Sequence, residues 1–503
     1  MARIAVIGAG MGAMAAAARL AVAGHRVAVY ERTGTYGGAV GRFERDGFAF
    51  DTGPGLLPVP AVYRDLFVKT GREPLEECVE LVQVDPSSRH VFADGTEVSL
   101  PNASRAGVVS ALDRALGADA GQRWGDFLVR AREAWDRTRR PLLEEPLWSD
   151  WSVLAEREPY PAVPHKRLLR TRRAGTLAEV GAWELRDPRL AALLESHALA
   201  FALDPRRTPA SAAVLPYMEH AFGTWYVRGG LRELARAVYE RCVARRVEFV
   251  FGAEVRTVLE KDGRAAGVEL ADGSVAEADH VVAGVDPDVL DRMTEHQLYG
   301  DGDLRPGRLD WCQSGRFSVL LALRGSREPG AAHRTVVHAP DRTAELDFLS
   351  MVTDDPVRPT VTVLRPDDPA LRPDDEHESV VLSAAIPPGA ECGSDDAEEI
   401  LADLLVEAAE TAVPGLRERL LWREWHSPEH SEDETGSSFG GLPAPALAAG
   451  RGRFLRPANV TALPGLYRVG GWSHPGGGLP HAGMSGALVA GLIVEGPDFR
   501  GSQ

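Results

Sequence analysis

Cysteine is scarce in this chain: Cys78, Cys242, Cys312 and Cys392 are the four among 503 residues, and no two form a C-x-x-C pair. That pattern excludes a cysteine-based zinc site and a disulfide framework, so no metal is expected and the thiols are expected to stay reduced in a cytoplasmic setting. Long apolar runs are also missing. No stretch of about 18 uncharged apolar residues occurs, which leaves no expected membrane-spanning helix. Even the alanine-rich run after Met14 is broken by Arg19. The start, MARIAVIGAG, shows no charged-then-apolar leader, because glycine chemistry begins by Gly8. Positive charge is in deficit, with 56 Lys and Arg against 73 Asp and Glu and a net charge of -17. A nucleic-acid partner is not expected.

What the chain has in quantity is a 44% hydrophobic share, enough over this length for two buried cores, and 52 glycines. The glycines concentrate where chemistry is expected. In RIAVIGAGMGAMAAAARLAVAGHRVAVYER, Arg3 to Ile7 reads as a buried strand, Met11 to Ala23 as a helix ended by Gly24, and Val27 to Tyr30 as a second strand. Gly8, Gly10, Gly12 and Ala13 form a G-x-G-x-x-A turn, in which Gly8 and Gly10 let a pyrophosphate approach the helix N-terminus and the small Ala13 lets helix pack on strand. Glu31, ending the second strand, is placed to accept hydrogen bonds from a ribose, and its charge opposes a 2′-phosphate. This is a dinucleotide site, for NAD or FAD.

The next stretch, ERTGTYGGAVGRFERDGFAFDTGP, carries Gly37-Gly38, a hairpin signal at Asp46-Gly47, and Asp51-Thr52-Gly53-Pro54. It resembles the GG and D-G-x-x-F-D-x-G-P segments of the flavin amine oxidase and phytoene desaturase superfamily. That resemblance implies FAD, with this loop over its phosphates and ribityl chain. The family often has Arg directly after GG; here Ala39 stands there, and Arg42 is the candidate replacement. Mid-chain, a helix and strand lead into a meander turned at Asp262-Gly263 and Asp272-Gly273, and the resemblance makes the backbone of Val255 an adenine contact.

Near the C-terminus, GGWSHPGGGLPHAGMSGALVAG resembles the signature of bacterial phytoene and related carotenoid desaturases. By that resemblance Gly470-Gly471 pass the ribityl chain. A helix starting near Met484 presents the backbone of Gly483 and Met484 to the isoalloxazine carbonyl, and Gly476 to Gly478 let the ring and a long substrate come close. His474 and His481 are the candidate catalytic bases by position. No S-G-G-C context is present, so FAD is expected to be non-covalent.

The implied fold is α/β: an FAD-binding Rossmann-like domain of glutathione-reductase type, from residues 1–105, 226–290 and 455–503, and a discontinuous α+β substrate domain from 106–225, reading helical, and 291–454, with an antiparallel sheet over 316–385. The implied activity is FAD-dependent desaturation of a long apolar polyene or isoprenoid, with a hydrophobic small molecule as partner. A flavin amine oxidase, a flavin-dependent double-bond isomerase or tailoring dehydrogenase, and a prenyl-binding chaperone like the Rab GDP-dissociation inhibitors are the alternatives. The basic cluster at 165–173, preceded by Trp148, Trp151 and Tyr160, is a candidate peripheral membrane contact.

Overall fold

A computed structural model of the protein describes residues 1–164, 171–294, 298, 315–353, 357–387 and 395–502. Two sheets organise it. The first has five parallel strands in the order Glu248–Phe251, Arg26–Glu31, Arg3–Ile7, His280–Ala283 and Leu466–Arg468. A parallel sheet is covered on both faces, and Ile4 to Ile7 of the strand Arg3–Ile7 show why such a strand is apolar through its buried part. Ile4 and Val6 pack against the helices Met11–Val22 and Leu231–Ala244, whereas Ala5 and Ile7 pack against a three-stranded meander, Val255–Lys261, Arg264–Leu270 and Val275–Glu277. The meander turns at Asp262-Gly263 and Asp272-Gly273, both glycines having φ above +70°.

The first helix and the last, Leu479–Val494, lie against each other at unusually close range. A Cβ on Gly486 would fall 2.6 Å from the Gly12 carbonyl oxygen, so bare backbone is what lets the two helices meet. Both therefore bring their N-termini to the same end of the parallel sheet.

The second sheet has seven strands in the order Leu420–His426, Gly315–Arg324, His377–Ile386, Val361–Leu364, Arg334–Val337, Ser88–Val91 and Glu97–Leu100. The helix Asp395–Ala409 covers one face through Leu401, Leu405 and Val406 packed on Phe317, Val319 and Leu321. Within 316–385 neighbouring strands are antiparallel, as expected, but Arg334–Val337 pairs in parallel with Ser88–Val91. Ser88–Val91 and Glu97–Leu100, expected in the cofactor unit, instead complete this sheet. Alternation explains the placement: Val91 turns to the helix-covered face and joins its core. A helical layer that includes Arg105–Leu116, Ala120–Arg139, Pro188–Leu199 and Val214–Phe222 fills most of 106–225. Its core runs from Trp124 and Phe127 to Met484 of the last helix.

Candidate functional site

The first glycine turn closes on the second strand. Gly8, at φ +87°, donates its N–H to the Tyr30 carbonyl at 2.8 Å. Gly10 caps the first helix in an extended conformation, and a Cβ on it would meet nothing within 4 Å. Met14 is the first residue to bond back to the Gly10 carbonyl, at 2.9 Å, so helix geometry leaves the amides of Met11, Gly12 and Ala13 without intrahelical acceptors, beside open space. Glu31 is aimed at this turn. Its Oε2 accepts from the Ala9 N–H at 2.7 Å, and its Oε1 accepts from the Thr33 N–H and hydroxyl at 2.8 and 2.9 Å. A carboxylate offers about four acceptor positions, and these three bonds leave room for another donor. The amides of Gly252 and Ala253 donate to the Thr33 and Glu31 carbonyls, which draws the segment leading to Val255 alongside.

The Gly37-Gly38 loop packs on the same turn. The Gly37 N–H donates to the Ala9 carbonyl at 2.8 Å, and a Cβ on Gly38 would lie 3.1 Å from the Gly10 Cα. Gly53 passes so near Ala39 that a Cβ would lie 1.8 Å from its carbonyl oxygen. Arg42 does not reach the glycine pair: its guanidinium bonds Glu44 at 2.6 Å and the Gly229 carbonyl at 3.2 Å. The arginine that binds this loop is Arg232, in the first turn of the helix Leu231–Ala244. It donates to the carbonyls of Val40, at 3.0 Å, and Tyr36, and stacks 4.2 Å over the Tyr36 ring. The run R-G-G-L-R was the available signal. Asp51 also has a role the sequence did not show: its carboxylate accepts from the Leu231 N–H at 2.9 Å and caps that helix from across the fold. Burial pushes its pKa up to about 6.

At the C-terminal loop, Gly470 has φ +99° and, like Gly10, would meet nothing within 4 Å if given a Cβ. The two open positions adjoin, because a Cβ on the intervening Gly12 would fall 2.7 Å from the Gly470 Cα. The last helix begins at Leu479, capped by Gly478, and not near Met484. Pro480 in its first turn is the reason, since proline is favoured where a helix starts. The amides of Gly483 and Met484 therefore lie inside the helix. Ala482 already bonds the Gly478 carbonyl at 2.9 Å, and helix geometry leaves Leu479 and His481 without intrahelical acceptors. Gly483 instead makes room for Val62, 2.8 Å from where its Cβ would be.

Gly476 and Gly477 meet protein where open space was expected. A Cβ on Gly477 would lie 1.8 Å from the Pro443 carbonyl oxygen, and one on Gly476 would lie 2.6 Å from the Ala446 nitrogen. The strap 441–446 fills that space, bonded through Gly477 N–H to the Ala444 carbonyl at 3.0 Å and Ala446 N–H to the Pro475 carbonyl at 2.9 Å. His474 is fully buried, with Nε2 donating to the Glu145 carbonyl at 2.9 Å. Burial lowers its pKa to about 4; burial and then His474 lower that of His481 to about 4. His474 thus braces the loop. Of the basic cluster, residues 165–170 lie outside the described residues, while Arg172 donates to the Trp183 carbonyl at 3.2 Å and Arg173 to the Glu158 carbonyl at 2.8 Å. Tyr160 is fully buried and bonds Glu184, which removes it from any anchoring face.

A family model for flavin containing amine oxidoreductases matches residues 14–494. The chain belongs to that family. This flavin oxidoreductase is 28% identical to the 4,4'-diapolycopene oxygenase of Methylomonas sp over 98% of each chain. It is 29% identical to the hydroxyneurosporene desaturase of Cereibacter sphaeroides, over 98% of this chain and 97% of that one. Among solved structures it resembles an oxidoreductase from Methanosarcina mazei, with a TM-score of 0.64, 18% identity and coverage of 97% and 99%. That likeness establishes the fold. The expected α/β flavin fold and the resemblance to carotenoid desaturases are borne out.

Proposed function

We propose that this flavin oxidoreductase binds FAD non-covalently and desaturates a carotenoid-type polyene. The observation that carries the reading is the adjoining pair of open glycines, Gly10 and Gly470, at the N-terminus of the first helix, with Glu31 bonded to Ala9 beside Gly10. In this reading the unengaged amides of Met11 to Ala13 hold the pyrophosphate, Glu31 accepts from the adenosine ribose, and the backbone at Val255 borders the adenine. Gly470-Gly471 pass the ribityl chain, and the amides of Leu479 and His481, at the positive end of the last helix, face the ring carbonyl. When bound, the flavin supplies the hydride acceptor. The chain's own contribution is orientation and exclusion of water. His481 is the better candidate proton acceptor of the two histidines, because His474 is committed to the Glu145 carbonyl.

The relatives named for carotenoid substrates support a polyene. An amine substrate is disfavoured by a specific feature: Arg316, on the face of the second sheet opposite its helix, is a cation with no carboxylate partner among the described residues and would repel a protonated amine. A peripheral membrane contact through 165–173 belongs to the same reading, supported by the exposure of Trp148 (38%) and Val153 (60%) nearby. No described helix is long and apolar enough to cross a membrane. The test is direct. Purified protein should show a flavin spectrum, acid should release FAD into the supernatant, and cells making a carotenoid precursor should accumulate more highly desaturated pigment on expression. Colourless protein, or chromophore retained on the precipitate, contradicts the cofactor assignment; unchanged pigments contradict the substrate assignment.

A further inference from the structure

The second sheet has one face covered by a helix and one covered only in part. Along Gly315–Arg324 the odd-numbered residues Phe317, Val319, Leu321 and Leu323 pack under the helix Asp395–Ala409, so Arg316, Ser318, Leu320 and Ala322 point the other way. Phe43, Phe48 and Phe50 of the hairpin cover that second face around Leu320, Ala322, Val381 and Trp422. Beyond them it is half-buried: Arg316, Thr362, Ser383 and Ala385 all keep intermediate exposure.

Strand register lines up its polar groups. His426 stands opposite Ser318, Ser318 opposite Ser383, Ser383 opposite Thr362, Thr362 opposite Val336, and Val336 opposite His90. Directly opposed residues have Cβ atoms about 5 Å apart, so Ser318, Ser383 and Thr362 make a continuous row of hydroxyls, with Arg316 two residues along from its start. None of these four side chains has a hydrogen-bond or ion-pair partner among the described residues. Burial lowers the pKa of Arg316, and no carboxylate among the described residues opposes it. A guanidinium without a partner among the described residues stands on this half-buried face, where it offers five donors and no acceptor.

This end of the face adjoins the proposed cofactor loop. Gly315 bridges to Gly441, and Pro445 of the same strap bridges to Gly476. Four residues of extended chain span at most about 14 Å, so Arg316 lies close to the loop under which the substrate would react.

A pure hydrocarbon laid on this face would leave a charge and three hydroxyls desolvated without partners, which is costly. We infer that Arg316 and the Ser318–Ser383–Thr362 row recognise a carbonyl oxygen, of an aldehyde or a carboxylate, carried by the polyene. The inference rests on the polyene reading above and narrows its substrate class.

Flavin-loaded full-length protein tests it with three polyenes of equal length, ending in a hydrocarbon, an aldehyde or a carboxylate, each followed by the shift of its own absorption band on binding. Wild type should bind an oxygenated polyene at least tenfold more tightly than the hydrocarbon. In Arg316→Met that ratio should fall about tenfold, with Arg316→Lys retaining most of the preference for the carboxylate over the aldehyde. Ser383→Ala, a milder change, should lower the ratio two- to fivefold, and flavin content reports whether each variant is folded. If wild type binds the hydrocarbon as tightly as either oxygenated polyene, or if neither Arg316→Met nor Ser383→Ala changes the ratio, the inference is wrong while the desaturase reading stands. If no polyene binds wild type, both fall.

Discussion

The two glycine-rich turns of this protein look alike in sequence and are used differently. At Gly8–Gly12 the cap residue Gly10 faces open space, whereas at Gly470–Gly478 only Gly470 does, and Gly476 and Gly477 are wedged against the strap 441–446. A glycine can make room for a ligand or for the protein itself. The distinction lies in what stands within 4 Å of the missing Cβ, and that is a property of the fold rather than of the motif.

The largest effect should come from Gly477→Val. With the Pro443 carbonyl 1.8 Å from the new Cβ, no side chain fits unless the strap moves. Expression should give insoluble protein or a melting temperature lowered by about 3 °C or more, an overpacking cost of roughly 3 kcal/mol or more. A folded, flavin-containing variant would make the two turns equivalent and erase the contrast.

Acid should loosen the C-terminal turn next, because it holds two buried histidines and the first turn holds none. His474 and His481 have folded pKa values of about 4, below the ordinary 6.5. The folded state therefore binds fewer protons between pH 4 and 6.5: stability is full above 6.5 and is lost as pH falls, by up to about 3 kcal/mol per histidine at pH 4. Asp51 and Glu345, raised to about 6 and about 7, pull the other way, since their protonation favours the folded state. Melting temperatures from pH 7.5 to 5 on wild type and His481→Gln isolate the histidine part. The variant should show the shallower decline, and identical slopes would remove His481 from the account.

Much of the first turn was legible in the sequence because its interactions are local. Strand, glycine turn and helix are consecutive, and Glu31 bonds Ala9 just across the unit. The helix start at Leu479, rather than near Met484, is also written in the sequence, in Pro480. What could not be read was non-local. Nothing near Gly477 announces Pro443, nothing near Asp51 announces the amide of Leu231, and nothing in Ser88–Val91 names Arg334–Val337 as its parallel neighbour.

Smaller effects sharpen the first turn. Glu31→Gln removes the charge while keeping an oxygen acceptor, so flavin affinity should fall about tenfold, or roughly 1.4 kcal/mol. Titration of the apoprotein with FAD reads this, and unchanged affinity would leave Glu31 as a fastener of Ala9 and Thr33 alone. Least of all should Arg42→Met matter, with affinity within about twofold, since Arg42 is engaged by Glu44 and Gly229. Arg232→Met should weaken binding more than Arg42→Met does, because Arg232 holds the Gly37-Gly38 loop. The reverse order in the same titration would return Arg42 to the cofactor.

The central claim is that the space beside Gly10 belongs to the cofactor. Gly10→Val fills only that space, on a backbone whose φ of -72° a valine can adopt. Flavin content and thermal unfolding measured on the same purified sample decide the matter. The account predicts protein that is colourless and folded, melting within a few degrees of wild-type apoprotein; a yellow variant with a full complement of FAD would contradict it.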